Sequence, residues 1–173
     1  MNVRAAFSLL ALAAVTTSCA GDDPIAAQLL INEIGATGND FVEFYNAGSA
    51  ALDVSGYGAC DSRKDGLPKL SRVVRFPAGT SVPSHGYLVV LFEGECPAAS
   101  NTYVCVRQAI TLGGGVSQTH GENLHLVNPD NESVATVHYP AYGAPTGWTY
   151  GRATDGGGSF SVTRRTPGYA NAQ

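Results

Sequence analysis

Apolar positions along the chain fall in short runs cut by clusters of Gly, Pro, Asn and Asp. Residues 28–33 (QLLINE) form the first run, and residues 40–46 (DFVEFYN) the second. The second alternates: Phe41, Glu43 and Tyr45 share one face of a strand, Val42 and Phe44 the other. Ala47-Gly48-Ser49 then turns the chain, and Leu52, Val54 and Tyr57 lead into a short strand ending near Cys60. Residues 72–76 (RVVRF) and 86–92 (GYLVVLF) flank a loop over 77–83, and a further run spans 103–110 before Gly113-Gly114-Gly115. Residues 124–127 and 134–139 flank Asn128-Pro129-Asp130-Asn131, a hairpin signal. A last short strand is expected over 148–152, before Asp155 and three glycines. After the N-terminal segment no stretch keeps a 3.6-residue apolar period over three turns. The pattern predicts one all-β domain of about eight or nine short strands, an antiparallel β-sandwich rather than βαβ units.

Several of these runs resemble the lamin tail domain family. Leu29-Leu30-Ile31-Asn32-Glu33-Ile34, then residues 40–46, then Leu52-Asp53-Val54-Ser55-Gly56-Tyr57 resemble the family's opening strands and turn. Phe76-Pro77-Ala78-Gly79-Thr80 and Gly86-Tyr87-Leu88-Val89-Val90 fit its middle. Gly147-Trp148-Thr149-Tyr150-Gly151-Arg152 and Thr166-Pro167-Gly168-Tyr169-Ala170-Asn171 fit its end. The resemblance covers residues 28–172 and implies an immunoglobulin-like sandwich. Phe41 and Tyr57 stand where the family usually has tryptophan, and residues 58–72 and the Cys96–Cys105 loop look particular to this chain.

The N-terminal segment changes the picture from fold to address. Arg4 is followed by an apolar run from Ala5 to Val15, too short to span a membrane but fitting the core of a secretory signal. Thr16-Thr17-Ser18-Cys19 resembles a lipobox, with Thr16 where Leu is usual. The expected layout is a lipoprotein-type signal over 1–18, lipidation at Cys19, a tether over 19–27 and the sandwich over 28–172. An ordinary signal cleaved nearby, with Cys19 incidental, is the alternative. The lipoprotein layout predicts an exported protein anchored by its acyl chains in the cell envelope, with the outer membrane as the expected site.

Export makes a disulfide expected. Cys96 and Cys105 flank a turn-like stretch between two β runs and are the first choice for a bridge, although spacing alone leaves Cys60 free to pair with either. No Cys-x-x-Cys or His pair offers a zinc site, and no cofactor is expected.

Composition sharpens the class. Hydrophobic residues make up 44%, charged residues only 14%, and 21 glycines and 9 prolines exclude a coiled coil or helical bundle. The net charge of -4 gives no global pull toward nucleic acid. Locally, however, Arg63, Lys64, Lys69, Arg72 and Arg75 crowd into one segment, a candidate contact for polyanions such as DNA or envelope phosphates. A solvated loop balancing Asp61 and Asp65 is the plainer account.

Glu33 and Glu43, with Asp40 and Asn32, could form an acid/base pair or hold Ca²⁺, but within the resemblance these acids belong to the fold signature. His85, His120, His125 and His138 fit no zinc template and are expected on solvent-facing strands and loops. No nucleophile elbow, Ser-x-x-Lys or His-Glu-x-x-His motif occurs, and the glycine triplets lack the Lys of a phosphate loop. The reading is therefore non-enzymatic: an adhesion, scaffold or ligand-recognition module meeting the membrane through its lipid and, through its loops, envelope proteins or acidic polymers. A polyanion-binding accessory to exported hydrolases or nucleases, acting through 63–75, and a small metal-dependent enzyme on Glu33, Asp40 and Glu43 are the competing expectations.

Overall fold

The computed structural model describes residues 23–92, 94–96, 100, 102–107 and 115–173; the signal segment and Cys19 lie outside them. The described residues form β1 (Leu29–Gly35), β2 (Phe41–Asn46), β3 (Leu52–Asp53), β4 (Gly58–Cys60), β5 (Val74–Arg75) and β6 (Ser81–Val82). The second half adds β7 (Tyr87–Leu91), β8 (Tyr103–Arg107), β9 (Glu122–Val127), β10 (Ser133–Tyr139), β11 (Trp148–Thr154) and β12 (Gly157–Arg164). A six-stranded sheet runs β12-β11-β1-β2-β7-β8, a four-stranded sheet runs β10-β9-β4-β5, and β3 and β6 make a separate ribbon.

The two main sheets close on one apolar core, so the fold is an all-β sandwich. Ile31, Val42, Phe44, Leu88 and Val90 come from the larger sheet; Ala59, Val74, Leu124, Leu126 and Tyr139 come from the smaller one. Phe44 meets Phe76 edge-on, with ring centroids 6.1 Å apart. Fully burying each such ring contributes about 1.5–3 kcal/mol. The alternation expected for β2 is realised: Val42 and Phe44 enter this core, while Phe41 joins Tyr87, Val89, Leu91 and Tyr103 on the opposite face.

Three elements depart from the sequence pattern. First, β8 runs parallel to β7, with Tyr87 opposite Tyr103 and Leu91 opposite Arg107, so the sandwich is not wholly antiparallel. The Cys96–Cys105 disulfide is present, with Cα atoms 5.8 Å apart, but it ties the crossover to edge strand β8 rather than closing a hairpin. Cys60 is buried and free. Second, residues 23–27 are not a loose tether. Asp23 Oδ1 accepts from the Ile25 and Ala26 N–H groups at 2.9 and 3.1 Å, and the turn packs Ile25 against the core. Third, the glycines after Asp155 do not end the sheet; they open β12, with Thr154 opposite Gly157 across the two-residue turn Asp155-Gly156.

The disulfide closes a short loop, for which loop entropy gives about 2–3 kcal/mol. Replacing both cysteines, as Cys96→Ser with Cys105→Ser, is expected to lower the unfolding free energy by about that amount in a denaturant titration. An unchanged midpoint would show that the bridge contributes nothing to folding.

Candidate functional site

Two polar assemblies stand out, and the first accounts for the acids. A bulge in β1 shifts the register between Ile31 and Glu33, so Ile31 opposes Phe44 and Glu33 opposes Glu43. Both glutamates are fully buried on the outer face of the larger sheet. The cover is the C-terminal strap, residues 165–172. Glu33 Oε1 accepts from the Thr166 N–H at 2.9 Å and Oε2 from the Thr166 hydroxyl at 3.2 Å. Glu43 Oε1 accepts from Asn32 Nδ2 at 3.0 Å and Oε2 from the Gly168 N–H at 2.7 Å. Asp155 takes Asn32 Nδ2, the Tyr87 hydroxyl and the Asn171 N–H. Arg165 lies over the Phe41 ring, 4.6 Å from its centroid.

Burial raises the Glu33 pKa, against hydrogen bonds from Thr149 and Thr166. It pushes Glu43 well above the usual carboxylate range, with the Glu33 charge adding to the shift. The third acid of the suspected metal site is elsewhere. Asp40 packs against Gly115, its Oδ2 2.0 Å from where a Cβ on that glycine would stand. The chain thus spends Glu33 and Glu43 on fastening its own C-terminus.

The second assembly is an open groove of about 690 Å³ at one end of the smaller sheet. One wall is the Ser62–Gly66 turn, the other the Ser117–Asn123 segment, and His138 on β10 completes the lining. The turn is held by the Ser62–Pro68 bridge and by the Gly66 N–H donating to the Arg63 carbonyl at 2.9 Å, with Gly66 at φ +81. Pairing of β4 with β9 brings the two walls together, and the Asn123 N–H donates to Ser62 Oγ at 3.1 Å. Ser117 N–H donates to Glu122 Oε1. Burial, then the nearby Asp61 charge, push the Glu122 carboxyl up to about 7 despite that bond and Lys69.

The basic segment does not form one surface. Arg63 and Lys64 line the groove, with Arg63 also paired to Asp65. Lys69 turns to Asp61 at 3.5 Å, and Arg72 adds its field to the same carboxylate. Arg75 points to the other end of the sheet. Its Nη1 donates to the Gly56 and Asn128 carbonyls at 2.9 and 2.8 Å, and its Nη2 to Asn131 Oδ1.

The histidines also divide. His138 and His120 line the groove. His125, expected toward solvent, is buried beneath the Ser62–Pro68 turn. Its Nδ1 meets Ser133 Oγ at 2.8 Å and Thr136 Oγ1 at 3.0 Å, and burial lowers its pKa. His85 lies beside Tyr45, whose hydroxyl is 3.2 Å from its Nδ1. Sequence reasoning missed Ser62, Ser117, Glu122 and Asn123 as groove residues. They come from two stretches more than fifty residues apart, and only the β4–β9 register joins them.

Compared with protein-family models the chain matches none, and no curated protein matches it.

Proposed function

We propose that the chain is a non-enzymatic, envelope-tethered recognition module of lamin-tail type, immunoglobulin-like in fold. The observation that carries this reading is the convergence of its separated motifs. Asn32 and Glu33 from the first motif, Glu43 from the second, Tyr87 from the middle and Thr166, Gly168 and Asn171 from the last meet in one hydrogen-bonded assembly. Such dependence among distant segments supports a shared fold signature. All four oxygens of Glu33 and Glu43 accept from the chain itself, which favours a structural role for them over catalysis. The loops at the sandwich end then supply the contact surface, since recognition residues favour loops on a rigid scaffold.

A second reading, an accessory that holds an acidic polymer, is favoured by Arg63 and Lys64 in the groove. The anchored reading is tested by the intact mass of unreduced protein from membrane and soluble fractions. A chain starting at Cys19 with added acyl mass and one disulfide is expected in the membrane fraction. An unlipidated soluble chain retaining Cys19 would overturn the anchor.

A further inference from the structure

The groove's donor set is specific enough to name a ligand chemistry, resting on the acidic-polymer reading above. Asn123 Nδ2 donates to the Gly66 carbonyl at 3.2 Å, which fixes the amide orientation. Its Oδ1 therefore faces His138 Nδ1, 3.0 Å away, and that ring nitrogen must carry the hydrogen. The Nε2 of His138 is the nitrogen left for a ligand. It offers a lone pair when the ring is neutral and an N–H only after a second proton arrives. His120 Nδ1 meets Thr119 Oγ1 at 2.9 Å, a hydroxyl that can donate or accept. Lys64 has no carboxylate within ion-pair distance among the described residues.

Glu122 is the one acid among the lining residues described. It is faced by the Ser117 N–H, by Asp61 and Asp40, whose charges disfavour its ionisation, and by Lys69. Arg63 and Lys64 stand on the opposite wall, with Asp65 behind Arg63, while His120 shares the wall of Glu122 and His138 lies on β10. In mildly acidic solution the one carboxyl of the lining thus becomes neutral, and its repulsion of an anion is lost.

We propose that this groove is a phosphate-binding site that takes up protons as it fills. A carboxylate presents one edge, which a single guanidinium fork satisfies. A tetrahedral phosphate needs donors from several directions, and here Arg63 and Lys64, the Ser62 and Ser117 hydroxyls, and His120 and His138 stand on separate walls. No Phe, Tyr or Trp ring lines the groove among the described residues, so it suits a phosphate backbone rather than stacked bases. Its volume of about 690 Å³ accommodates more than one phosphate unit of a polymer.

The test is titration calorimetry of the folded protein with long-chain inorganic polyphosphate at pH 5.5 and 8.0. Polygalacturonate serves as the carboxylate comparison and single-stranded DNA as a second phosphate source. Internal polyphosphate charges are constant over this range, so any pH dependence belongs to the protein. Binding about tenfold or more tighter at pH 5.5 is expected, because each proton taken up contributes up to a factor of 10 per pH unit. Lys64→Ala should weaken binding at both pH values. Glu122→Gln should strengthen binding at pH 8.0 and so remove part of the acid gain, with thermal melts confirming that each variant folds. DNA that binds as polyphosphate does supports the site and makes nucleic-acid backbone its source; DNA that fails while polyphosphate binds supports it with another source. Equal binding of polygalacturonate, affinity independent of pH, or no response to Lys64→Ala would overturn the proposal. None of these outcomes alters the mass measurement that tests the anchor.

Discussion

Glu43→Ala is expected to lower the unfolding free energy by about 3 kcal/mol, because it strips two buried donors of a charged or acidic acceptor. The Gly168 N–H loses its partner, Asn32 Nδ2 keeps only Asp155 Oδ1, and the strap loses one of its fastenings. For a domain of this size that corresponds to roughly 6–12 °C in Tm. Glu43→Gln, which imitates the protonated acid, is expected to cost less than half as much. The two variants also separate packing from protonation. Burial and the opposed Glu33 hold the folded Glu43 pKa above its unfolded value, so the folded state keeps a proton that the unfolded chain releases above about pH 4.5. Stability from this group therefore falls as pH rises through that window, and Glu33 and Glu122 act in the same direction. His125 opposes them: its lowered pKa makes the unfolded state the better proton binder below about pH 6.5. The decisive quantity is thus the difference between the parent chain and Glu43→Gln in melts at pH 5 and pH 8. A smaller loss toward pH 8 in the variant is expected; an identical profile would mean Glu43 is ionised throughout.

Arg75→Ala is the second large effect, about 2–3 kcal/mol, and it is a stability effect rather than a binding one. The guanidinium holds the Gly56 turn to the β9–β10 turn through two carbonyls and the Asn131 side chain. Arg75→Lys should rescue little, since an ammonium lacks the fork that reaches three acceptors at once. Urea titration measures the loss, and polyphosphate affinity measured below the melt should be unchanged. Weakened binding by a fully folded Arg75→Ala would return this residue to the ligand surface.

These cases show which parts of the molecule local pattern can reveal. Strand β2 was legible because alternation separates Val42 and Phe44 from Phe41, and the β9–β10 hairpin because Asn128-Pro129-Asp130-Asn131 marks its turn. Strand β12 was hidden by Gly156, Gly157 and Gly158, which read as a break although Asp155-Gly156 is itself a two-residue hairpin turn. The parallel setting of β8 left no local trace. The strap's role was visible only as a family-like motif at Thr166–Asn171; the hydrogen bonds that explain it cross more than a hundred residues. The groove was half legible: Arg63 and Lys64 drew notice by charge, whereas Glu122 is an ordinary residue until folding places it beside Asp61. Arg75 points away from the groove, and charge density in the sequence says nothing of that direction.

The turn at Asp23 gives the molecule a polarity. The Tyr57 hydroxyl donates to both Asp23 oxygens, at 3.1 and 3.0 Å, beside the Gly56–Pro129 contact at the far end of β9 from the groove. Strand β9, rising about 3.3 Å per residue, separates that end from Glu122 by roughly 17 Å. With a lipid on Cys19, as proposed above, three residues would separate the anchor from Asp23. The sandwich would then stand on its entry end, holding the groove away from the bilayer toward whatever lies beyond its own membrane. Lengthening the segment between Cys19 and Asp23 would change the reach of the groove without altering its make-up.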